Sequence, residues 1–414
     1  MRVSELSVGI LSYYIGTEQI YALLLNQNGS IERFSLLSCE DAFPLIDHLM
    51  DVLEQPYAWT PLHQNEVIKD FSQRWGKLLL PPPNALQLFD ILVIIPHHFL
   101  HGIPLHLVCC SDKPLALSHG ISYCSSSTLF YRSVNRNLSR LFNLSDWTFP
   151  CNDDEDYPHG PEISSCLYYG VDVLTGKDAA YRKLAETFAN QFPDKAIANS
   201  RDDIKIAVNF YHHDGKKTAI TNPDAICIVC HGYQNAKNPE MSGLLLAGPS
   251  GITTYRNIRV HGTTMLRVKD LPFTEIPLHL SVNKTYKKQN KLYQHEAEMF
   301  AMSELKVFCE TDAQLIALFG CSTGTGTVAS NDDYASLAYQ WLKLGAASVV
   351  ANIWEADFSF ISDWAKFFAA NWVQHRQPKA IAAREATCAL LRNRPEIVDN
   401  MILWGSVTVI GDWL

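Results

Sequence analysis

Short apolar runs of strand length alternate with longer stretches of helical period along most of the chain. Several runs are continuously apolar, which is typical of strands that are buried on both faces of a sheet. The second and third runs flank Asn26-Gln27-Asn28-Gly29, and Asn-Gly is a signal for a hairpin turn. The pattern predicts strands at 8–13, 19–25, 30–37, 91–95, 166–171, 225–230, 314–319, 347–352 and 406–410, and helices at 40–54, 64–79, 126–142, 178–191, 201–213, 332–344, 358–372 and 378–392.

The order of these elements predicts an α/β fold, in which helices cover both faces of a mostly parallel sheet. One segment interrupts the alternation, because residues 151–163 begin with an acidic stretch that contains two prolines. Such a composition is typical of a surface linker between domains. We therefore predict an N-terminal α/β half at 1–150, an acidic linker at 151–163 and a second domain at 164–414.

Residues 251–291 are too long for a simple connection within that second domain. They carry eight basic and two acidic residues, although the whole chain is acidic. Two interpretations of this basic insert remain open. It is a docking surface for a partner or a substrate, or it is a solvated hairpin excursion.

The composition argues against several classes of protein. Hydrophobic residues make up 47% of the 414 residues, which is enough for a sizeable core and excludes a largely disordered chain. The 34 lysines and arginines against 43 acidic residues give a net charge of −9, which argues against direct nucleic-acid binding. No apolar run reaches the roughly 18 residues that a membrane span needs, so we expect no membrane partner.

The pattern of the eleven cysteines indicates the redox compartment in which the protein is expected. Their number is odd, several lie in apolar runs, and residues 1–16 lack the features of a secretory signal. We therefore expect reduced thiols, most of them packed as small apolar side chains, and a cytoplasmic location.

Candidate chemistry lies where two predicted strands end. Residues 225–230 lead into His231-Gly232, and residues 314–319 lead into Gly320-Cys321, which small residues and glycines follow. Catalytic groups in parallel sheets gather beyond the carboxyl ends of the strands. A histidine there can act as a base, and a glycine-rich loop lets backbone N–H groups approach a substrate oxygen.

His231 and Cys321 at neighbouring strand ends would form a nucleophile and its base. An imidazole favours the thiolate form of a cysteine, and the thiolate attacks an acyl carbon. The alternative is that Cys321 only fills space and that His231 only satisfies hydrogen bonds. The residue types alone leave both interpretations open.

Several sequence blocks in both halves of the chain carry a family resemblance. The blocks are 225–232, 318–324, 344–354, Trp404 and 410–412 in the C-terminal half, and 93–97 and 100–106 in the N-terminal half. With these blocks the chain resembles the CHAT protease family, caspase-like cysteine peptidases of the same clan as separase. The resemblance implies a caspase-like peptidase domain at 164–414 and a pseudo-protease-like N-terminal half without a dyad. The long stretch between His231 and Cys321, which contains the basic insert, departs from the family pattern.

The resemblance also implies roles for individual residues. Cys321 would be the nucleophile and His231 the general base, while the backbone N–H groups of Gly232 and Cys321 would form the oxyanion hole. The family works mainly with this dyad, so the resemblance implies no third catalytic residue, no metal and no cofactor. Glu355 and Asp357 lie where relatives shape the substrate pocket, and a carboxylate there could receive Arg or Lys. The alternative for Asp357 is an acid at the start of a helix.

Three other motifs indicate different chemistry. Cys227-Ile228-Val229-Cys230-His231 has the spacing of a haem-attachment site, but a strand would direct the two sulfurs to opposite faces. Four histidines between 97 and 106 suggest zinc, but their proline-flanked context favours a structural turn. Gly320-Cys321-Ser322-Thr323-Gly324 also fits a nucleophile elbow with Ser322 as the nucleophile, although only His375 follows it.

The sequence thus predicts a cysteine endopeptidase that cleaves a specific protein. Because such an activity is harmful when it is unregulated, we expect gating by a protein partner, with 251–291 as its candidate binding segment, or by cleavage within that insert. The family resemblance further suggests a role in prokaryotic antiviral defence. The competing interpretations are a non-enzymatic scaffold that binds a partner and a serine hydrolase.

Overall fold

The fold is described from a computed structural model. It describes residues 6–54, 60–142, 163–172, 178–208, 223–233, 240, 242–247, 257–260, 263–266, 297–303, 305, 311–320, 323–324, 326–328, 334–354 and 357–414. The central element is a sheet of eleven strands, which small two- and three-stranded sheets accompany. The strands are β1 Val8–Ile15, β2 Gln19–Leu25, β3 Ile31–Ser38, β4 Ile91–Ile95, β5 Cys109–Cys110, β6 Lys113–Pro114, β7 Gly120–Tyr123, β8 Ser165–Gly170, β9 Asp194–Ile197, β10 Ala225–Val229, β11 His231–Tyr233, β12 Gly243–Ala247, β13 Asn257–Val260, β14 Thr263–Leu266, β15 Ala297–Ala301, β16 Leu315–Phe319, β17 Gly326–Val328, β18 Tyr334–Ser336, β19 Ser348–Asn352 and β20 Val407–Gly411.

Helices connect these strands and pack on the large sheet. They are α1 Cys39–Glu54, α2 Pro61–Gln73, α3 Pro83–Leu86, α4 Leu115–Ser118, α5 Ser127–Phe142, α6 Asp178–Ala189, α7 Arg201–Val208, α8 Leu337–Lys343, α9 Phe358–Ala369, α10 Lys379–Asn393 and α11 Met401–Trp404. Short 3₁₀ turns lie at Trp75–Leu79, His98–Gly102, Leu105–Leu107 and Pro395–Ile397, and a π turn at Ala370–Gln374 continues α9. Among the described helices, none is long and apolar enough to cross a bilayer.

The large sheet has the strand order β3-β2-β1-β4-β7-β20-β19-β16-β10-β8-β9. Its pairs are parallel except for β1–β2, β2–β3 and β19–β20. Every residue of β4, β10, β16 and β19 is buried, as expected for strands with helices on both faces. The predicted α/β class with a mostly parallel sheet is therefore confirmed.

The two halves of the chain contribute adjoining strands to this one sheet. Strands β1 to β4 and β7 come from the N-terminal half, and β8, β9, β10, β16, β19 and β20 come from the rest. The halves meet where β7 pairs in parallel with β20, with Tyr123 opposite Ile410. Most of the predicted linker at 151–163 lies outside the described residues, and the domain boundaries stay a prediction.

Two element boundaries differ from the prediction for local reasons. The helix expected at 332–344 begins only at Leu337, because 334–336 form β18 and the Ser336 hydroxyl accepts the Tyr339 N–H at the helix start. The helix expected at 64–79 divides into α2 and the 3₁₀ turn Trp75–Leu79. Within the basic insert 251–291, the described residues form the antiparallel pair β13–β14, and the other residues lie outside the described part.

His106 is a buried polar group at the contact between the two halves. Its Nε2 lies 2.9 Å from the Gly405 carbonyl O, and its Nδ1 lies 3.0 Å from the Tyr123 hydroxyl. A carbonyl only accepts, so Nε2 carries the hydrogen and Tyr123 donates its O–H to Nδ1. The neutral imidazole thus satisfies both partners, and burial lowers the pKa of His106 to about 4.

We expect acid to destabilise the protein through this histidine. The unfolded chain binds a proton near pH 6.5 and the folded chain only near pH 4, so stability is complete above pH 6.5 and is lost as the pH falls toward 4. The loss amounts to about 3 kcal/mol at most, and His119, whose pKa burial also lowers, adds to it. Denaturant unfolding at pH 7.5 and pH 5 measures the effect. His106→Gln should be less stable at pH 7.5 yet lose less on acidification; an equal loss would assign the proton to another group.

Candidate active site

Three neighbouring strands of the sheet, β8, β10 and β16, end together at one edge. Gly170 pairs with Val229, and Val229 pairs with Phe319, all in parallel register. Asp172, His231 and Cys321 each follow these paired positions by two residues. The carboxyl ends of these strands therefore bring Asp172, His231 and Gly320, the residue before Cys321, to the same edge of the sheet.

His231 and Asp172 form a buried polar pair at this edge. The His231 Nε2 lies 2.8 Å from the Asp172 Oδ1, and the two residues are 7% and 1% exposed. A charge buried to this degree is costly unless it is paired. The contact therefore indicates a fixed, specific arrangement rather than a solvated surface pair.

This contact defines which nitrogen of His231 is available for chemistry. A carboxylate only accepts hydrogen bonds, so Nε2 carries a hydrogen that it donates to Asp172. In the neutral imidazole, Nδ1 is then the basic nitrogen. The tautomer that the Asp172 contact selects is one that can accept a proton from a thiol.

Aromatic rings hold the imidazole from one side. The Tyr181 hydroxyl O lies 3.2 Å from the His231 Nε2, and the two ring centroids are 5.3 Å apart. Tyr181 in turn stacks on Phe358 of α9, with ring centroids 4.9 Å apart. The helices α6 and α9 therefore restrict the rotation of the histidine that β10 and β11 place.

Gly320, the last described residue before Cys321, is packed against the turn that carries His231. A Cβ added to Gly320 would lie 2.6 Å from the Cys230 carbonyl O and 3.3 Å from the Gly232 N. A side chain at this position would force the two strand ends apart, and glycine allows the close approach. The backbone N–H of Gly232 therefore lies beside the chain segment that leads to the candidate nucleophile.

The other side of Gly320 contacts the end of β19. The Asn352 Nδ2 donates to the Gly320 carbonyl O over 3.2 Å, and the Thr323 Oγ1 lies 3.3 Å from the same oxygen. Thr323 Oγ1 also lies 3.1 Å from the Leu318 carbonyl O and accepts the Asn352 N–H over 3.3 Å. The Gly324 N–H donates to the Asn352 carbonyl O over 2.8 Å. These bonds attach the loop after β16 to β19.

The structure places some of the predicted site residues and leaves others untested. His231 and Gly232 follow the end of β10, after Cys230, and are the first residues of β11. Cys321, Ser322 and Glu355 lie outside the described residues, so their roles stay predictions. The Asp357 Oδ1 accepts the Phe360 N–H over 2.8 Å and caps α9, which is the contact that the alternative interpretation expected.

The motifs that suggested other chemistry are placed as parts of the fold. Cys227 is buried within β10, and burial raises the pKa of its thiol. His97 Nδ1 accepts the Ile15 N–H over 3.2 Å, whereas His101 stacks on Tyr334 with ring centroids 4.7 Å apart. Among the described residues, no three His, Cys, Asp or Glu side chains are grouped to hold a metal ion.

The sequence analysis missed Asp172 and Asn352. A signal existed for Asp172, because it follows a predicted strand directly, as His231 and Gly320-Cys321 do. Asn352 ends a predicted strand, but a polar residue at that point is common, and only the contact with Gly320 distinguishes it.

A family model for the CHAT domain matches residues 69–412, a span that includes strands from both halves of the sheet. The chain belongs to the CHAT domain family. A search of curated proteins found no significant match.

Solved structures show how far the likeness of this CHAT domain protein extends. The chain is similar to the Saccharomyces cerevisiae separase–securin complex, with 9% identity and a TM-score of 0.53, over 99% of this chain and 30% of that one. It also matches the cysteine proteinase gingipain R (RgpB), with 9% identity and a TM-score of 0.44, over 80% of this chain and 67% of that one. A complex of the pro- and mature domains of Porphyromonas gingivalis RgpB matches with 10% identity and a TM-score of 0.45, over 80% and 69%.

These similarities concern the fold. The expected membership in the CHAT family and the caspase-like fold are confirmed. The chain spans about 30% of the length of the separase chain that it matches. At these identities, activity, substrate and partners have to be argued from the residues of this chain.

Proposed function

We propose that the protein is a cysteine endopeptidase of the caspase-like CHAT type. Cys321 is the nucleophile, His231 is its base, and the site belongs to residues 164–414. The observation that carries the proposal is the His231–Asp172 contact of 2.8 Å at the edge where β10 and β16 end in register. That contact selects the imidazole tautomer that can accept a thiol proton. His231 lies two residues past Val229, and Val229 pairs with Phe319, the residue before Gly320-Cys321.

The reaction follows from these positions. His231 Nδ1 takes the proton of the Cys321 thiol, and the thiolate attacks the carbonyl carbon of the scissile peptide bond. The backbone N–H groups of Gly232 and Cys321 stabilise the oxyanion of the tetrahedral intermediate. The intermediate collapses as the C–N bond breaks, and the leaving amine takes the proton from His231. Water then hydrolyses the thioester and releases the second product and the free thiol.

Asp172 acts through His231 in this scheme. It accepts the hydrogen of Nε2, keeps Nδ1 basic toward the thiol and stabilises the imidazolium that forms during attack. The site would thus contain three side chains instead of the dyad that the family resemblance implies. Asp172 is a positioning residue, because it contacts His231 rather than the substrate.

Substrate choice and regulation are further parts of the proposal. Glu355 and Asp357 would form a pocket for an Arg or Lys side chain, with Asp357 using the carboxylate oxygen that does not cap α9. The separase structure in the comparison is a complex with securin, which supports control by a protein partner here as well. The partner would bind the basic insert 251–291, or cleavage within that insert would release the activity. The substrate would be a specific protein in a prokaryotic defence system.

Thiol alkylation by limiting iodoacetamide tests the proposed nucleophile without a substrate or an activator. The wild type is labelled from pH 5.5 to pH 9, and mass spectrometry reads the label on each cysteine. The imidazole of His231 favours the Cys321 thiolate near neutral pH. In contrast, burial raises the pKa of Cys388, and it raises that of Cys124 to about 12.

We expect Cys321 to be alkylated at pH 6 at least about tenfold faster than Cys388, and His231→Ala to remove most of that advantage. The Cys388 rate of the same sample is the internal control. If Cys321 is alkylated no faster than Cys388 and its alkylation rate is unchanged in His231→Ala, the peptidase proposal fails. A partner-binding scaffold is then favoured.

A further inference from the structure

The orientation of one peptide group, between Gly320 and Cys321, decides whether the candidate oxyanion hole is complete. Its carbonyl oxygen is held by the Asn352 Nδ2 at 3.2 Å and lies 3.3 Å from the Thr323 Oγ1. From this geometry we infer that Asn352 and Thr323 are positioning residues, which direct the Cys321 N–H toward the oxyanion. The inference rests on the proposed cysteine peptidase function.

The planarity of the peptide group links the direction of the Gly320 carbonyl to that of the following N–H. In a trans peptide, the C=O of one residue and the N–H of the next lie in one plane and point in opposite directions. The Asn352 amide that holds the Gly320 carbonyl, with the Thr323 hydroxyl beside it, therefore also sets the direction of the following N–H. No contact with Cys321 itself is needed for this control.

The order of the strands gives that direction. In the sheet, β16 lies between β19 and β10. The Phe319 carbonyl accepts the Cys230 N–H over 3.4 Å and thus points toward β10, while the next carbonyl, that of Gly320, points toward Asn352 at the end of β19. With a planar trans peptide, the N–H that follows Gly320 would then point back toward β10, the side on which the Gly232 N lies. Both proposed oxyanion donors would face the same space.

The bonds around Asn352 make this orientation rigid. Asn352 and Thr323 are 3% and 2% exposed, and the Thr323 hydroxyl accepts the backbone N–H of Asn352 over 3.3 Å. The Gly324 N–H donates to the Asn352 carbonyl O over 2.8 Å. The end of β19 and the loop after β16 are therefore bonded to each other on both sides of the Gly320 carbonyl.

A second observation favours a functional over a purely structural role for the amide. The Asn352 Oδ1 is buried, and it has no hydrogen-bond partner among the residues that the structure describes. A buried carbonyl without a partner costs stability, so an apolar side chain would serve packing better at this position. Residues that break a local rule of stability in this way are expected at functional sites.

The experiment compares two reactions of the Cys321 thiol in the full chain. p-Nitrophenyl acetate acylates the thiolate through a tetrahedral oxyanion, with formation of the C–S bond and release of p-nitrophenolate. Iodoacetamide alkylates the same thiolate by displacement of iodide and forms no oxyanion. The ratio of the two rates at Cys321, read by mass spectrometry, therefore reports the oxyanion hole separately from thiol activation.

The variants form two matched pairs. Asn352→Leu removes the donor at similar size, and Asn352→Asp keeps the shape but replaces the donor by an acceptor. Thr323→Val removes the hydroxyl, while Thr323→Ser retains it. We expect the ratio of acylation to alkylation to fall about 10- to 100-fold in both Asn352 variants, less in Thr323→Val, and to stay near the wild-type value in Thr323→Ser, with alkylation rates unchanged.

Each other outcome has a defined meaning. A wild-type ratio in the Asn352 variants would overturn the positioning role, and so would equal losses of both rates, which indicate a disrupted site. A wild-type protein whose Cys321 shows no enhanced alkylation would overturn the peptidase proposal, and this inference would fall with it.

Discussion

Replacing Cys321 by alanine should abolish peptide cleavage, whereas Ser322→Ala should leave cleavage in place. Removal of a covalent nucleophile removes the acyl-enzyme route altogether, and losses of at least about 10⁴-fold are expected for such a residue. Ser322 follows immediately in the sequence and is the nucleophile that the nucleophile-elbow interpretation assigns. The pair of variants therefore separates a thiol from a serine mechanism within two adjacent residues.

Cleavage of a mixed peptide library and of the proteins encoded beside this one, read by mass spectrometry, measures this prediction. Cleavage that is lost only in Cys321→Ala would establish the thiol mechanism and yield the residue preferred before the scissile bond. A preference for Arg or Lys would support the pocket proposed for Glu355 and Asp357. Loss confined to Ser322→Ala would contradict the assignment of the nucleophile.

The Asp172→Asn variant should lower kcat/KM by about 10²- to 10⁴-fold without preventing folding. An asparagine amide can donate to Nε2, which would move the hydrogen of His231 to Nδ1 and leave the thiol without a base. Losses of this order are seen when the carboxylate behind a catalytic histidine is replaced in this way. The buried position of Asp172, 1% exposed, makes solvent a poor substitute for the lost contact.

The pH dependence of kcat/KM distinguishes this role from a structural one. A positioning role predicts a changed pH profile together with a reduced alkylation rate of Cys321 at pH 6. Tyr181→Phe is the matched control, because it removes only the hydroxyl 3.2 Å from the same nitrogen and keeps the ring that stacks on Phe358. If Asp172→Asn lowers activity no more than Tyr181→Phe, the carboxylate does not select the tautomer.

The position of the site in the sheet explains why the effect of Asp172→Asn should be large. Asp172 and His231 follow two adjacent parallel strands at the same distance, so their separation depends on strand spacing rather than on a long loop. Sites built at the ends of regular strands hold their geometry well. The contribution of the N-terminal half is the continuation of this sheet across the β7–β20 pair.

Much of this architecture could be predicted from the sequence. Continuous apolar runs such as 91–95 and 225–230 can only be buried on both faces, which determines the class of sheet. His231-Gly232 and Gly320-Cys321 directly follow two such runs. Parallel sheets expose side chains at the carboxyl ends of their strands, so these residues could be identified as candidates from the sequence. These are properties of local pattern, and they hold whatever the strand order is.

The remaining features depend on strand order and register, which are set by contacts between distant parts of the chain. The sequence contains Asp172 beyond a strand, but only the pairing of β8 with β10 places its carboxylate 2.8 Å from His231. Likewise, only the position of β19 beside β16 brings the Asn352 amide to the Gly320 carbonyl. Local patterns therefore determined the elements and the candidate dyad, while long-range packing decided which polar groups orient it.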